Sequence, residues 1–149
     1  MKSVPLLRRR AASCLLSALA FVGLFAMAPN NLPLTLEVFP DKGIFAPGEE
    51  ITVEITGELG SFVLFAADVS PGPVFLPGGQ QFDLGLTREL TYYVSLMGAK
   101  PLTYRAGLTP DHPWFGAPTY IQAISVNPRN FEVQVSESFE LLWDFGLED

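Results

Sequence analysis

The sequence has very few of the residues that form disulfides or bind a transition metal. Among its 149 residues there is one cysteine, Cys14, and one histidine, His112. Because Cys14 lies in an N-terminal segment that we expect to be removed, the remaining chain can form no disulfide within itself. A single histidine without cysteine supplies too few of the ligands that zinc prefers. The sequence therefore argues against a disulfide framework and a zinc site, and we expect stability to come from packing.

Basic residues are also scarce, and almost half of them lie at the N-terminus. The chain holds nine lysines and arginines against sixteen acidic residues, and four of the nine fall within the first ten positions. Beyond residue 28, five basic side chains therefore face sixteen acidic ones, a net charge of about −11. Such an acidic surface repels phosphate backbones, so nucleic acid is excluded as a partner.

The first 28 residues have the pattern of a signal peptide. Four basic side chains precede residues 11–27, which carry no charge, and Ala26 and Ala28 have the spacing that signal peptidase recognises. Pro29 disfavours cleavage after Ala28, and as a helix the uncharged stretch would span about 26 Å. An uncleaved membrane anchor is therefore the alternative. We expect a secreted, periplasmic or envelope location, with the membrane reached only through this segment.

After a short linker, residues 29–33, the sequence predicts one all-β domain over residues 34–149. Ile51, Val53 and Ile55 alternate with polar residues, which is the pattern of a strand with one buried face. The apolar run of residues 62–67 predicts a buried central strand. The other main strands are expected at residues 34–38, 82–86, 90–96, 120–126, 131–135 and 139–143, with short ones at 74–76 and 102–105. Seven or eight strands separated by proline and glycine turns predict an immunoglobulin-like antiparallel β-sandwich.

Several turns and core positions carry a resemblance to a known class of domain. Pro47, Gly48 and Glu49 lead into the strand that begins at Ile51, and residues 69–73 and 119–123 are the other segments that carry the resemblance. In these segments the sequence resembles exported bacterial immunoglobulin-like modules, in particular small sandwich proteins of planctomycete-like and myxobacterium-like secretomes. The resemblance implies the fold and an exported location, and it transfers no active-site residue.

The loop before the strand at residues 120–126 holds the candidate binding residues. Trp114 and Phe115 are adjacent aromatic residues next to His112. Exposed rings on a sandwich loop can stack on sugar faces, whereas rings turned inward would close the end of the sandwich. His112 could act as a general base, but no Gly-x-Ser-x-Gly elbow supplies a nucleophile.

The remaining candidate is a calcium site. Asp41, Glu49 and Glu50 flank the two turns that join the first strands, and calcium prefers oxygen ligands of this kind. Ordinary solvated acids are the alternative, because the Asp-x-Asp-x-Asp-Gly spacing is missing.

These observations together predict a non-enzymatic binding or structural module at the cell envelope or outside the cell, without a cofactor. An envelope protein or a polysaccharide is the expected partner. A carbohydrate-binding module based on Trp114 and Phe115 is the alternative, and a small hydrolase using His112 is a more distant one.

Overall fold

The computed structural model describes residues 32–76 and 78–146, and strands are the regular secondary structure found in them. All of these strands lie in the unit that runs from Asn31 to Asp149. In chain order they are β1 (Thr35–Phe39), β2 (Ile44–Phe45), β3 (Ile51–Thr56), β4 (Phe62–Asp68), β5 (Pro71–Phe75), β6 (Gln81–Leu84), β7 (Thr91–Leu96), β8 (Leu102–Ala106), β9 (Thr119–Val126), β10 (Val133–Val135) and β11 (Phe139–Trp143).

Nine of the strands form the two layers of a sandwich. The smaller sheet has the order β1-β3-β8, and the larger sheet has the order β2-β11-β9-β4-β7, with β10 pairing to the end of β9. Neighbours are antiparallel, except that the two-residue β2 runs parallel to β11. The order β11-β9-β4-β7 is that of strands G, F, C and C′ of an immunoglobulin-like domain, and β1, β3 and β8 take the places of A, B and E. The predicted all-β, immunoglobulin-like sandwich is confirmed.

The main apolar core lies between the layers, because alternate residues of each strand point to the same side. Strand β3 buries Ile51, Val53 and Ile55, and β11 buries Leu141 and Trp143. Trp143 is 2% exposed and belongs to this core. Strand β4 is paired on both sides, by β9 and β7, as expected for a central strand.

A second apolar cluster lies on the opposite face of the larger sheet. Strands β5 and β6 form a separate two-stranded hairpin, and Phe82 and Leu84 of β6 pack with Ala66 of β4. The sequence predicted only a short strand at residues 74–76, whereas β5 begins at Pro71 and ends at Phe75. Its backbone passes so close to β6 that a Cβ at Gly72 would lie 2.6 Å from the carbonyl oxygen of Phe82.

Two strands are shorter than the hydrophobic pattern predicted. β6 ends at Leu84, because Leu86 adopts a φ of 54°, and β10 begins only at Val133, because Phe131 adopts a φ of 58°. A φ in this left-handed region is incompatible with an extended strand. Apolar residues at these two positions therefore belong to turns.

The predicted signal peptide, residues 1–28, lies outside the described residues, and so does most of the linker 29–33. In the part of the chain that the structure describes, no helix is long and apolar enough to cross a membrane.

Candidate ligand-binding site

A cavity of about 380 Å³ lies between the two sheets. This volume is within the range of small-molecule sites, about 300 to 1,000 Å³. Strands β3, β4, β9 and β11 supply most of its buried wall, which is apolar apart from one threonine. The buried lining residues are Ile51, Val53, Phe65, Leu108, Thr119, Ile121, Leu141 and Trp143.

The cavity opens between the free edges of the two sheets. Strand β7 ends the larger sheet and β8 ends the smaller one. Every exposed lining residue lies on one of these two strands, namely Thr91, Tyr93, Thr103, Arg105 and Ala106. We call this opening between β7 and β8 the seam.

Three aromatic rings pack together where the seam meets the core. The ring centroid of Tyr104 lies 4.9 Å from that of Phe65 and 5.6 Å from that of Tyr93. The hydroxyl groups of Tyr104 and Ser95 lie 2.9 Å apart and share a hydrogen bond. Because β7 and β8 belong to different sheets, these side-chain contacts tie the two sheet edges together.

The loop of residues 107–118 connects β8 to β9 and carries the predicted binding residues. Tight turns fold it, one of them closed by the Phe115 N–H, which donates to the carbonyl of His112 at 3.0 Å. Gly116 adopts a φ of 76°, a conformation that glycine reaches without steric cost. Its N–H donates to the carbonyl of Trp143 at 2.8 Å, which attaches the loop to β11.

The structure brings Trp114 and His112 together in this loop. The Trp114 N–H donates to Nδ1 of His112 at 3.2 Å, and the two rings meet edge-on with centroids 5.7 Å apart. Both residues line a shallower depression of about 430 Å³. Thr91, Leu108 and Trp114 line this depression as well as the cavity. Trp114 is therefore common to the outer depression and the inner cavity.

Phe115 lies outside the linings of both the depression and the cavity. It is half-buried against the main core, and its ring meets that of Phe145 edge-on at 5.1 Å. Trp114 is also half-buried against the core. The two rings thus do not stand free side by side, and the use of this pair for stacking on a sugar stays a prediction.

His112 does not have the hydrogen bonds of a triad histidine. In a triad, Nδ1 donates its hydrogen to a carboxylate, whereas here Nδ1 accepts the N–H of Trp114. The neighbouring carboxylate of Asp111 accepts a hydrogen bond from the Thr109 hydroxyl. That bond lowers the pKa of Asp111, helped by the residue's own N–H. Asp111 is thus held in its ionised form by Thr109 and does not orient the imidazole.

Thr119 is the polar exception in the buried wall of the cavity. It is the first residue of β9 and is 4% exposed. Its Oγ1 atom is buried and has no hydrogen-bond partner among the described residues. Since nearly all buried polar groups in proteins are hydrogen-bonded, an unpartnered hydroxyl on a residue that lines the cavity is an exception.

The calcium site expected at Asp41, Glu49 and Glu50 stays a prediction, and the contacts of Glu49 do not favour it. Nζ of Lys42 lies 2.7 Å from Oε1 and 2.9 Å from Oε2 of Glu49, and the Ala46 N–H donates to the same carboxylate at 3.0 Å. These hydrogen bonds, that of Lys42 above all, lower the pKa of Glu49. Within the described part of the chain, no three histidine, cysteine or acidic side chains are grouped to hold a metal. The structure therefore pairs Glu49 with a lysine and does not group it with Asp41 and Glu50.

Sequence reasoning missed the cavity and Thr119. The cavity depends on the volume left between two sheets, and its lining residues come from strands far apart in the chain. One signal was available, since Ala67 is a small residue at an inward position of β4, next to the large Phe65.

Comparison with known proteins gives little information beyond the geometry of the site. No family model matches the chain, and no curated protein matches it. Among solved structures, the chain is similar to the sporulation control protein Spo0M from Bacillus subtilis, with a TM-score of 0.33 and 11% identity. The match covers 75% of this chain and 49% of Spo0M, so the chain spans about half the length of that protein. A similarity at this level carries no functional argument.

Proposed function

We propose that this chain is an exported, non-enzymatic binding module that holds a small apolar ligand between its two sheets. The observation that carries the proposal is the cavity of about 380 Å³ in the core, open at the seam. Protein interiors are normally close-packed, with few voids larger than a water molecule. Atoms that line an empty void lose dispersion contacts, and an apolar ligand restores them.

The chemistry of the wall supports an apolar ligand. Trp114 and Trp143 present large rings, and Ile51, Val53 and Leu141 present aliphatic side chains. A predominantly apolar wall with a small number of polar groups is typical of small-molecule sites. The ligand therefore gains mainly from the removal of its apolar surface from water.

The alternatives have less support from the same geometry. A hydrolase would need His112 to be oriented by a carboxylate, and its Nδ1 is already an acceptor for a backbone N–H. A sugar-binding platform would need exposed ring faces on Trp114 and Phe115, but both rings are half-buried against the core.

Export is the part of the proposal that rests on the sequence alone. The basic N-terminus, the uncharged residues 11–27 and the small side chains of Ala26 and Ala28 support it. The proposed function is therefore the capture of an apolar molecule in the envelope or outside the cell.

The test uses the exported product of the full chain and N-phenyl-1-naphthylamine, an apolar dye that becomes fluorescent when it leaves water. Both tryptophans of the chain line the cavity, so a bound dye should quench their emission by energy transfer. We expect saturable binding of one dye per chain, with tryptophan quenching that follows the same curve.

A pair of variants locates the dye. Ala67→Leu places a larger side chain in the cavity, whereas Ala99→Leu makes the same change at an exposed position outside its lining. We expect Ala67→Leu to weaken dye binding roughly tenfold, an effect of about 1.4 kcal/mol, and Ala99→Leu to leave it unchanged. Equal affinity in the two variants would show that the dye does not occupy the cavity.

A further inference from the structure

Thr119 shows which kind of apolar ligand suits the cavity, an inference that rests on the proposed function. Thr119 is the polar residue in an otherwise apolar buried wall, and its buried Oγ1 atom lacks a hydrogen-bond partner among the described residues. A buried hydroxyl without a partner is unfavourable, so its loss would cost the empty protein little. A ligand that offers a hydrogen-bonding group at this point would remove the penalty.

The strand order places Thr119 far from the mouth. It lies on β9, and β4 and β7 separate it from the seam. Two inter-strand spacings amount to roughly 10 Å. Thr119 therefore lies at the inner part of the cavity, and the ligand group that reaches it must enter first.

The charges around the cavity indicate that this inner group is neutral. Arg105 is the charged residue in the cavity lining, and it is exposed at the seam on β8. The buried lining residues are uncharged, so a carboxylate or an ammonium group next to Thr119 would be desolvated without a counter-charge.

We propose that the ligand is a neutral, largely apolar molecule that carries a hydroxyl or carbonyl group at its inner end, and that Thr119 is the residue that binds this group. The apolar body fills the space between the sheets, and the outer end lies at the seam. Thr119 thus determines specificity, while the apolar wall provides most of the affinity.

The test is a cycle of two ligands and two proteins, read by displacement of N-phenyl-1-naphthylamine from the exported product. The ligands are 4-ethylphenol and 4-ethyltoluene, which differ by a hydroxyl in place of a methyl group. The proteins are the natural sequence and Thr119→Val, which replaces the hydroxyl by a methyl group. The cycle is needed because the two ligands also differ in their hydration in water.

We expect Thr119→Val to weaken 4-ethylphenol binding about three- to tenfold, the effect of one hydrogen bond, and to leave 4-ethyltoluene binding within about twofold. Thr119→Ser keeps the hydroxyl and should preserve the affinity for 4-ethylphenol; it also serves as the readout if Thr119→Val does not fold. The anionic 4-ethylbenzoate should displace the dye less well than 4-ethylphenol.

Three results would overturn the inference. Equal effects of Thr119→Val on both neutral ligands would mean that Thr119 acts by shape alone. No effect on either ligand would mean that a water molecule or a rotated side chain satisfies the hydroxyl. Stronger displacement by 4-ethylbenzoate would mean that the inner end accepts a charge. In each case the dye still binds, whereas failure of the proposed function would appear as absence of dye binding.

Discussion

The hydroxyl groups of Tyr104 and Ser95 lie 2.9 Å apart and share a hydrogen bond across the seam. Tyr104 belongs to β8, the edge of the smaller sheet, and Ser95 belongs to β7, the edge of the larger sheet. The ring of Tyr104 also packs against Phe65 and Tyr93. This pair therefore holds the two edges together beside the opening through which a ligand would enter.

Tyr104→Phe removes the bond and keeps the ring. We expect a loss of about 1 kcal/mol in the free energy of unfolding, measured by urea denaturation, because one partly buried hydrogen bond is lost. We also expect faster release of N-phenyl-1-naphthylamine in stopped-flow experiments, since the seam opens more readily. Ser95→Ala should have a similar effect. If the two changes add fully in the double variant, the hydroxyls do not interact.

Asp68 should be one of the most sensitive polar positions. It is fully buried at the end of β4, and its carboxylate accepts hydrogen bonds from the Ser70 N–H (3.1 Å), the Thr87 N–H (2.7 Å) and the Thr87 hydroxyl (2.8 Å). Asp68→Ala leaves these donors without their partner, so we expect a loss of about 3 kcal/mol or more in unfolding free energy. Asp41→Ala, at an exposed aspartate, should change it by less than about 0.5 kcal/mol. Similar values for both variants would contradict this role of Asp68.

Gly72 should tolerate no side chain. An added Cβ would lie 2.6 Å from the backbone oxygen of Phe82, so Gly72→Ala forces the hairpin strands β5 and β6 apart. We expect a loss of about 1 to 3 kcal/mol in thermal or urea unfolding. Gly98→Ala is the matched control, because its Cβ would meet no atom within 4 Å. A neutral Gly72→Ala variant would mean that β5 packs less closely than described.

The alternation of apolar and polar residues was sufficient to predict most of the sandwich. The strand predicted at residues 139–143 matches β11, and the one predicted at 62–67 matches β4 to within a residue. In both strands the burial of a side chain follows from its position along the strand. The local sequence pattern is therefore enough to predict these strands. The strand β2 was missed because two residues between turns show no period, and its partner β11 lies almost a hundred residues away.

The site was predictable only in part. Residue types indicated Trp114 and His112 as binding residues, and the structure places both in one depression. The sequence could not show that Trp114 also borders an internal cavity, because that depends on how closely two sheets approach each other. It likewise could not show that Lys42 would neutralise Glu49, since the turn that brings them together is a property of the fold.

The ion pair of Lys42 and Glu49 predicts a pH dependence. The pKa of Glu49 is lower in the folded chain than its ordinary value of 4.5, chiefly because of the hydrogen bond from Lys42. A lowered folded pKa contributes stability above the ordinary value, and this contribution is lost as the pH falls through the folded pKa. We therefore expect Glu49→Gln to be less stable than the natural sequence at neutral pH and to match it in acid.

The control for this pH dependence is Glu50→Gln, which removes the neighbouring charge and leaves the pair intact. Urea midpoints for the three proteins should be measured from pH 7 to pH 3, and repeated at high salt, which weakens an exposed ion pair. A stability difference between the natural sequence and Glu49→Gln that stays constant with pH would contradict the assignment.

The most direct test of the central claim is a crystal structure of the exported product with N-phenyl-1-naphthylamine. We predict electron density for the dye between the sheets, in contact with Trp114 and Trp143. One end of the dye should lie at the seam. The competing apolar surface is the outer face of β7, where Tyr92, Val94 and Leu96 are exposed. Dye bound on that outer face, with the internal cavity empty or filled by ordered water, would contradict the account.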